Sequence, residues 1–328
     1  VFSLEDNAGT GSAVPGTQRR AVIDVGTNSV KLLVADVDGH QVNPVLEDSE
    51  QTRLGRGFYE TYVLRPEAIE QTAQAAGRFA KEARSLGAAS LRIIATSAAR
   101  DANNPHALLA ALKEQTGIEV EIISGEQEAD WAFQGVTTNP ELARHGLLLL
   151  DVGGGSTEFI VGDGGHSVFR QSFKLGTVRL LESLPHSDPP TKAELEQCRS
   201  WLSRFLQTEV LPSLKPALKS VDHSCLLVGT GGTTTIMARI AQQMEDFDRE
   251  KIEAVRLSRE QVIGMTEHLW SLPLAERRAL PGLPKKRADV ILTGLAIYEA
   301  VLQELDFAEL RVSTRGLRYA AVAASQRR

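Results

Sequence analysis

A carboxylate carried by a buried strand into a glycine loop is the first arrangement in this sequence with the makings of chemistry. In residues 147–163, LLLLDVGGGSTEFIVGD, four leucines read as a strand buried on both faces. They deliver Asp151 to the strand's C-terminal end, where open α/β sheets place their ligands. Gly153, Gly154 and Gly155 follow, and without Cβ atoms they let backbone N–H groups approach an anion, as a phosphate-cradling loop must. Ser156 and Thr157 add hydroxyls, and Glu158 adds a second carboxylate before the apolar run of residues 159–161. The chemistry suggested is phosphate with a divalent cation; the alternative is a tight hairpin whose glycines serve only the turn.

The pattern occurs twice. Residues 24–36, DVGTNSVKLLVAD, align with residues 151–163, DVGGGSTEFIVGD, and Asp24/Asp151, Val25/Val152, Gly26/Gly153, Ser29/Ser156, Val34/Val161 and Asp36/Asp163 are identical. A repeat of such long period indicates duplicated domains rather than a solenoid, whose units are far shorter. Two such loops can face each other across a cleft. Thr27, Asn28 and Ser29 replace the glycines of the second loop with side-chain donors that can still hold phosphate oxygens.

Hydrophobic periodicity supplies the elements that position these loops. Strands are expected over 21–25 and 30–36, with Asp38-Gly39 turning into a third from Gln41, followed by the basic loop RLGRG at 53–57. Pro66 opens a helical pattern that runs to Gly87. A strand at 91–95 ends in TSAAR, and a helix at 105–115, a strand at 119–123 and a helix from about Glu126 complete a first α/β unit. Asn139-Pro140 breaks the pattern and Leu147 restarts a sheet, which places a domain boundary between Gly125 and Gly146. Beyond it come a strand at 167–175, a long helix over 191–214, a strand at 225–228 opening into GTGGTTT, helices at 233–244, 259–271 and 287–304, a strand at 310–313 and a last short helix. Residues 1–19 read as a disordered tail.

At 328 residues, 42% hydrophobic and 24% charged, the chain has the composition of a two-domain globular protein. Its net charge of −6 argues against a general nucleic-acid or anionic-membrane binder, so a polyanionic ligand requires a local basic lining. Cys198 and Cys225 form neither a metal-ligand spacing nor a disulfide framework, and no apolar run approaches a membrane span. A cytoplasmic protein is expected.

TSAAR, the segment ISGEQEADWAFQGV at 123–136, GTGGT from Gly229 and GLPKKRADVILTGLAI from Gly282 stand in order around the two loops. Together they resemble the exopolyphosphatase and guanosine pentaphosphate phosphohydrolase (Ppx/GppA) family of the actin-like ATPase superfamily, over almost the whole chain from Arg20. The resemblance implies two duplicated ribonuclease-H-like α/β domains flanking a cleft, over 20–131 and 132–314, with 315–328 folding back onto the first. It implies hydrolysis of the terminal phosphoanhydride of inorganic polyphosphate or guanosine pentaphosphate, and leaves a homodimer open. Longer members carry a further helical domain, whereas little sequence follows Arg315 here, so short chains and distributive release are expected.

Site roles follow the same match. Glu128, the last carboxylate of SGEQEA, matches the family's catalytic base; a phosphoanhydride hydrolase needs a group that orients water and takes its proton. Glu126 is its rival, but residues two apart on a helix point in different directions, so only one should face the substrate. Arg100 matches a phosphate-binding arginine, whose fork suits phosphate oxygens. Asp151 and Glu158, with Asp24 as a third carboxylate, are candidates for Mg²⁺, which is typically held by one or two carboxylates, waters and substrate phosphate. Phosphate contacts are expected from Thr27, Asn28, Ser29, Gly153, Gly154, Gly155 and Ser156. Gly231, Gly232 and Thr233 stand before a helix whose N-terminus favours anions. Lys285, Lys286 and Arg287 open another helix, where they oppose its dipole and gain a purpose if a polyanion passes; Arg53, Arg56 and Arg315 are weaker members of that lining. An ATP-dependent kinase or ATPase of the superfamily, and a non-catalytic polyphosphate or alarmone sensor, are the alternatives.

Overall fold

The structure is a computed structural model that describes residues 17–39, 41–221 and 225–324. The chain forms two compact units: one from the described residues within Val1–Ser124 and Leu317–Arg328, the other from Gly125–Gly316.

The first unit contains β1 (Gln18–Val25), β2 (Val30–Asp38), β3 (Gln41–Glu50), α1 (Pro66–Ser85), β4 (Ser90–Ala95), α2 (Ser97–Asp101), α3 (Pro105–Thr116) and β5 (Val120–Ile122). Most of the expected tail lies outside the described residues. Gln18 and Arg19, assigned to it from sequence, instead open β1, because Arg19 donates to both carboxylate oxygens of Asp36 on β2 at 2.8 and 3.0 Å. The sheet order is β3-β2-β1-β4-β5, with β1 antiparallel to β2 and parallel to β4. Helix α1 starts with Pro66, whose missing N–H costs nothing in a first turn, and buries Ile69, Ala73, Ala76, Ala80 and Ala83 along one stripe against the strand side chains Ala21, Ile23 and Val25.

The second unit contains α4 (Gly125–Val136), β6 (Leu147–Val152), β7 (Thr157–Asp163), β8 (His166–Phe173), α5 (Thr177–Ser183), α6 (Lys192–Phe205), α7 (Leu211–Leu218), β9 (Leu226–Thr230), α8 (Gly232–Ala241), α9 (Arg249–Ala254), β10 (Arg256–Ser258), α10 (Arg259–Ser271), α11 (Leu274–Arg277), α12 (Ile291–Glu304) and β11 (Glu309–Val312). Its sheet order is β10-β11-β9-β6-β7-β8. Read from β8, this repeats the order of the first sheet, with β10 added at the far edge. The four leucines of β6 alternate faces: Leu148 and Leu150 join the core under α6, α8, α10 and α12, while Leu147 and Leu149 meet Ala129, Ala132, Phe133 and Val136 of α4. That packing ties α4 to the second sheet, so the division falls at Ser124/Gly125, ahead of the boundary drawn at 131/132 from sequence. The chain closes with α13 (Leu317–Ala323), which lies on β1 and β2 of the first unit, where Arg318 donates to the Leu32 carbonyl (2.6 Å) and Tyr319 to Glu47 (2.9 Å).

Two expected helices differ from their sequence reading. The long helix over 191–214 is interrupted by a π turn, Leu206–Val210, just before Pro212, which cannot donate to the i−4 carbonyl. Lys285–Arg287 form a 3₁₀ turn, and α12 begins only at Ile291. The three cations thereby stay outside a first turn whose dipole they would oppose.

Candidate active site

The duplicated loops fold alike. Gly26 N–H donates to the Ser29 carbonyl and Gly153 N–H to that of Ser156, both at 3.0 Å. Each loop is then held from behind by a Leu-Gly pair that follows the third strand. Gly55 N–H donates to the Thr27 carbonyl (2.7 Å), and the residues after Gly176 donate to those of Gly153 and Gly154. A Cβ on Gly176 would stand 2.5 Å from the Gly154 carbonyl carbon, so only glycine permits that approach. Leu54-Gly55 and Leu175-Gly176 thus extend the internal repeat, a signal the sequence carried but the reading of it missed.

At the end of β6, register places Asp151 opposite Glu158 on β7 and beside Thr230 on β9. Gly231, at φ +88°, follows Thr230; a Cβ there would sit 2.6 Å from Asp151 Oδ1, so glycine makes room for the carboxylate. Glu158 is buried and accepts a 2.7 Å hydrogen bond from Ser172 Oγ. Burial, then the negative charges of Glu128 and Asp151, push its carboxyl well above the usual carboxylate range, against the hydroxyls of Ser172 and Ser156. Ser172, which supports Glu158, was not legible in the sequence.

Helix α4 separates its two glutamates. Glu128 is 7% exposed and close enough to Glu158 for its charge to act there. The Glu126 side chain is 69% exposed and meets Arg170 of β8 at 3.1 Å.

Among the described residues no three His, Cys, Asp or Glu side chains converge to hold a metal. Asp151 and Glu158 nevertheless suit a hard cation that takes its remaining ligands from water and phosphate: they are register partners, and a positive ion would offset the like charge that perturbs Glu158. Asp24 differs. Its register partner is Lys31, whose Nζ lies 3.9 Å from Asp24 Oδ2, so the first loop carries a cation where the second carries Glu158. Burial raises the Asp24 carboxyl, and Lys31 and Arg318 counter the shift.

In the first loop Thr27, Asn28 and Ser29 are all buried. Asn28 Oδ1 accepts from Gln51, while Thr27 Oγ1, Asn28 Nδ2 and Asp24 Oδ1 are buried with no hydrogen-bond partner among the described residues. Arg100, expected where the strand at 91–95 ends in TSAAR, lies in the last turn of α2, and its Nη1 donates to the Ile123 carbonyl at 3.0 Å. Arg53, at φ +54°, braces the same loop through its backbone N–H to the Asn28 carbonyl (3.1 Å), and Arg56 is exposed. In the second unit Gly232 and Thr233 form the first turn of α8 rather than preceding it. Thr233 packs on Gly294 of α12, and the Arg287 guanidinium lies 3.7 Å from where a Cβ on Gly232 would be. Lys285 and Lys286 are exposed. Arg315 is drawn to Thr138 Oγ1 (3.2 Å) and Glu253 (3.8 Å).

The family model of the Ppx/GppA phosphatase family matches residues 33–324. Exopolyphosphatase 2 of Mycobacterium tuberculosis is 33% identical over 299 residues, 88% of this chain and 91% of that protein. Among solved structures, the Aquifex aeolicus PPX-GPPA enzyme superposes with a TM-score of 0.76 at 30% identity, covering 94% of this chain and 100% of that one. An exopolyphosphatase from Cytophaga hutchinsonii superposes with a TM-score of 0.82 at 28% identity, over 92% and 96% of the two chains. The repeated sheet order and paired loops are thus those of an actin-like ATPase fold, and this chain belongs to the Ppx/GppA phosphatase family.

Proposed function

We propose that this protein is an exopolyphosphatase, hydrolysing the terminal phosphoanhydride of inorganic polyphosphate, with guanosine pentaphosphate as the related substrate, and releasing orthophosphate. The observation that carries the reading is the placement of Glu128: a carboxylate buried in the first turn of α4, beside Glu158, while Glu126 turns outward to Arg170. In this mechanism Glu128 orients a water and accepts its proton as the oxygen bonds to the terminal phosphorus. The bond to the bridging oxygen breaks, and the shortened chain leaves as an anion that needs no proton. The N–H groups of Gly154, Gly155 and Ser156 hold terminal phosphate oxygens, while that of Gly153 closes the loop on the Ser156 carbonyl. Asp151 and Glu158 would hold Mg²⁺ or another divalent cation, which supplies charge neutralisation on the phosphate oxygens. On the first unit, Arg100, Thr27, Asn28 and Ser29 contribute phosphate contacts; the unpartnered donors of Thr27 and Asn28 support that role. Arg287, with Lys285 and Lys286, extends the basic lining.

The test is phosphate release from polyphosphates of defined length, guanosine pentaphosphate and ATP, each with and without Mg²⁺. Release from polyphosphate with no nucleotide or acceptor present is expected. Turnover of ATP alone would instead indicate a kinase or ATPase, and tight binding without turnover a sensor.

A further inference from the structure

In the loop at residues 153–156, the carbonyl oxygens of Gly153, Gly154 and Gly155 are bound from one side. Gly153 O accepts from Thr177 N–H (2.9 Å), and Gly154 O from the N–H groups of Val178 (2.9 Å) and Arg179 (3.1 Å). Gly155 O accepts from the Arg179 side chain, with Nε at 2.7 Å. Arg179 is buried, so this charge-assisted bond is shielded from water. A peptide unit carries its carbonyl and the following N–H on opposite sides. Fixing the carbonyls of Gly153, Gly154 and Gly155 toward α5 therefore turns the N–H groups of Gly154, Gly155 and Ser156 away from it. Among the described residues none of these three N–H groups donates to a backbone carbonyl.

We infer that Arg179 is a positioning residue for phosphate binding: its guanidinium holds the Gly155 peptide in the orientation that presents the Gly154, Gly155 and Ser156 N–H groups to one phosphate. The first unit braces its loop differently, through the backbone N–H groups of Arg53 and Gly55, so the arginine brace belongs to the second loop. Without Arg179 the Gly155 carbonyl loses that partner, and three glycines in succession allow its peptide to flip, which replaces a donor by a carbonyl oxygen facing the anion.

This inference rests on the polyphosphate reading, and the experiment separates the two. Tripolyphosphate is titrated calorimetrically, with Mg²⁺ present, into the full-length Glu128→Gln protein and into the same protein carrying Arg179→Met or Arg179→Lys. Loss of one buried charge-assisted bond predicts a Kd about ten- to a hundredfold weaker for Arg179→Met. Lysine keeps the charge but lacks the fork, so Arg179→Lys should be about three- to tenfold weaker, and it carries the test should the methionine variant not fold. In the Glu128-containing enzyme the same changes should raise KM while kcat falls less, a split that general loosening of the fold would not produce. If the Glu128→Gln parent binds but Kd stays within twofold in the folded Arg179 variants, the inference is overturned. Should the parent itself fail to bind, the proposed function falls and the inference with it.

Discussion

Replacing Glu128 by glutamine tests the site with two opposed readouts. The amide keeps the size of the side chain and its capacity to orient water, but it accepts no proton, so kcat should fall about 10² to 10⁴-fold, or roughly 2.7 to 5.5 kcal/mol in the barrier. Stability should move the other way. Glu128 is buried within electrostatic reach of Glu158 and contributes to the rise of that carboxyl, so removing its charge relieves like-charge repulsion. Each pKa unit of relief is worth about 1.4 kcal/mol, and the melting temperature should hold or rise. Glu126→Gln is the control. It removes an exposed ion pair with Arg170, worth about 0.2 to 1 kcal/mol, and should leave kcat within about twofold. The assays are initial-rate phosphate release at saturating polyphosphate and thermal unfolding of the same preparations. Glu128 is not the base if Glu128→Gln keeps more than a tenth of kcat or Glu126→Gln loses as much, and its repulsion with Glu158 is refuted if Glu128→Gln melts several degrees below wild type.

Asp151→Asn and Glu158→Gln should each raise the Mg²⁺ concentration for half-maximal activity and weaken direct Mn²⁺ binding measured by electron paramagnetic resonance; Asp24→Asn, with Lys31 beside it, should change Mn²⁺ binding less, and equal losses in all three would place Asp24 among the ligands. Lys285→Ala combined with Lys286→Ala should raise KM for long polyphosphate more than it lowers kcat, and the difference from wild type should shrink as added salt screens the charges; a fall in kcat alone would assign these exposed lysines another role. Burial, helped by the charge of Glu299, pushes the Cys198 thiol up to about 12, and burial pushes Cys225 up to about 11. Below those values both remain thiols, so at pH 8 the native protein should react with an aromatic disulfide reagent far more slowly than unfolded protein, and prompt labelling of Cys198 would contradict its placement.

Family and fold class were legible in the sequence because each rests on local order. The DVG repeat, the four leucines and the serial motifs survive as strings, and burial on both faces of β6 follows from a continuous apolar run. Helix periodicity likewise located α1 and α10 closely, and failed where proline or cationic residues set a boundary, at Pro212 and at Lys285–Arg287. What the string did not explain was direction. Helix geometry lets only one of Glu126 and Glu128 turn inward and the motif match named Glu128, but the physical cause is the phase that α4 adopts when Ala129, Phe133 and Val136 pack on β6 and β7. The contrast between Asp24–Lys31 and Asp151–Glu158 arises only when the strands pair in register, and Arg179 reaches Gly155 only because α5 folds back over the loop. Sequence determined which chemical groups exist and on which elements; tertiary packing alone decided which carboxylates share a buried space, because charges perturb one another through distance in space and not along the chain.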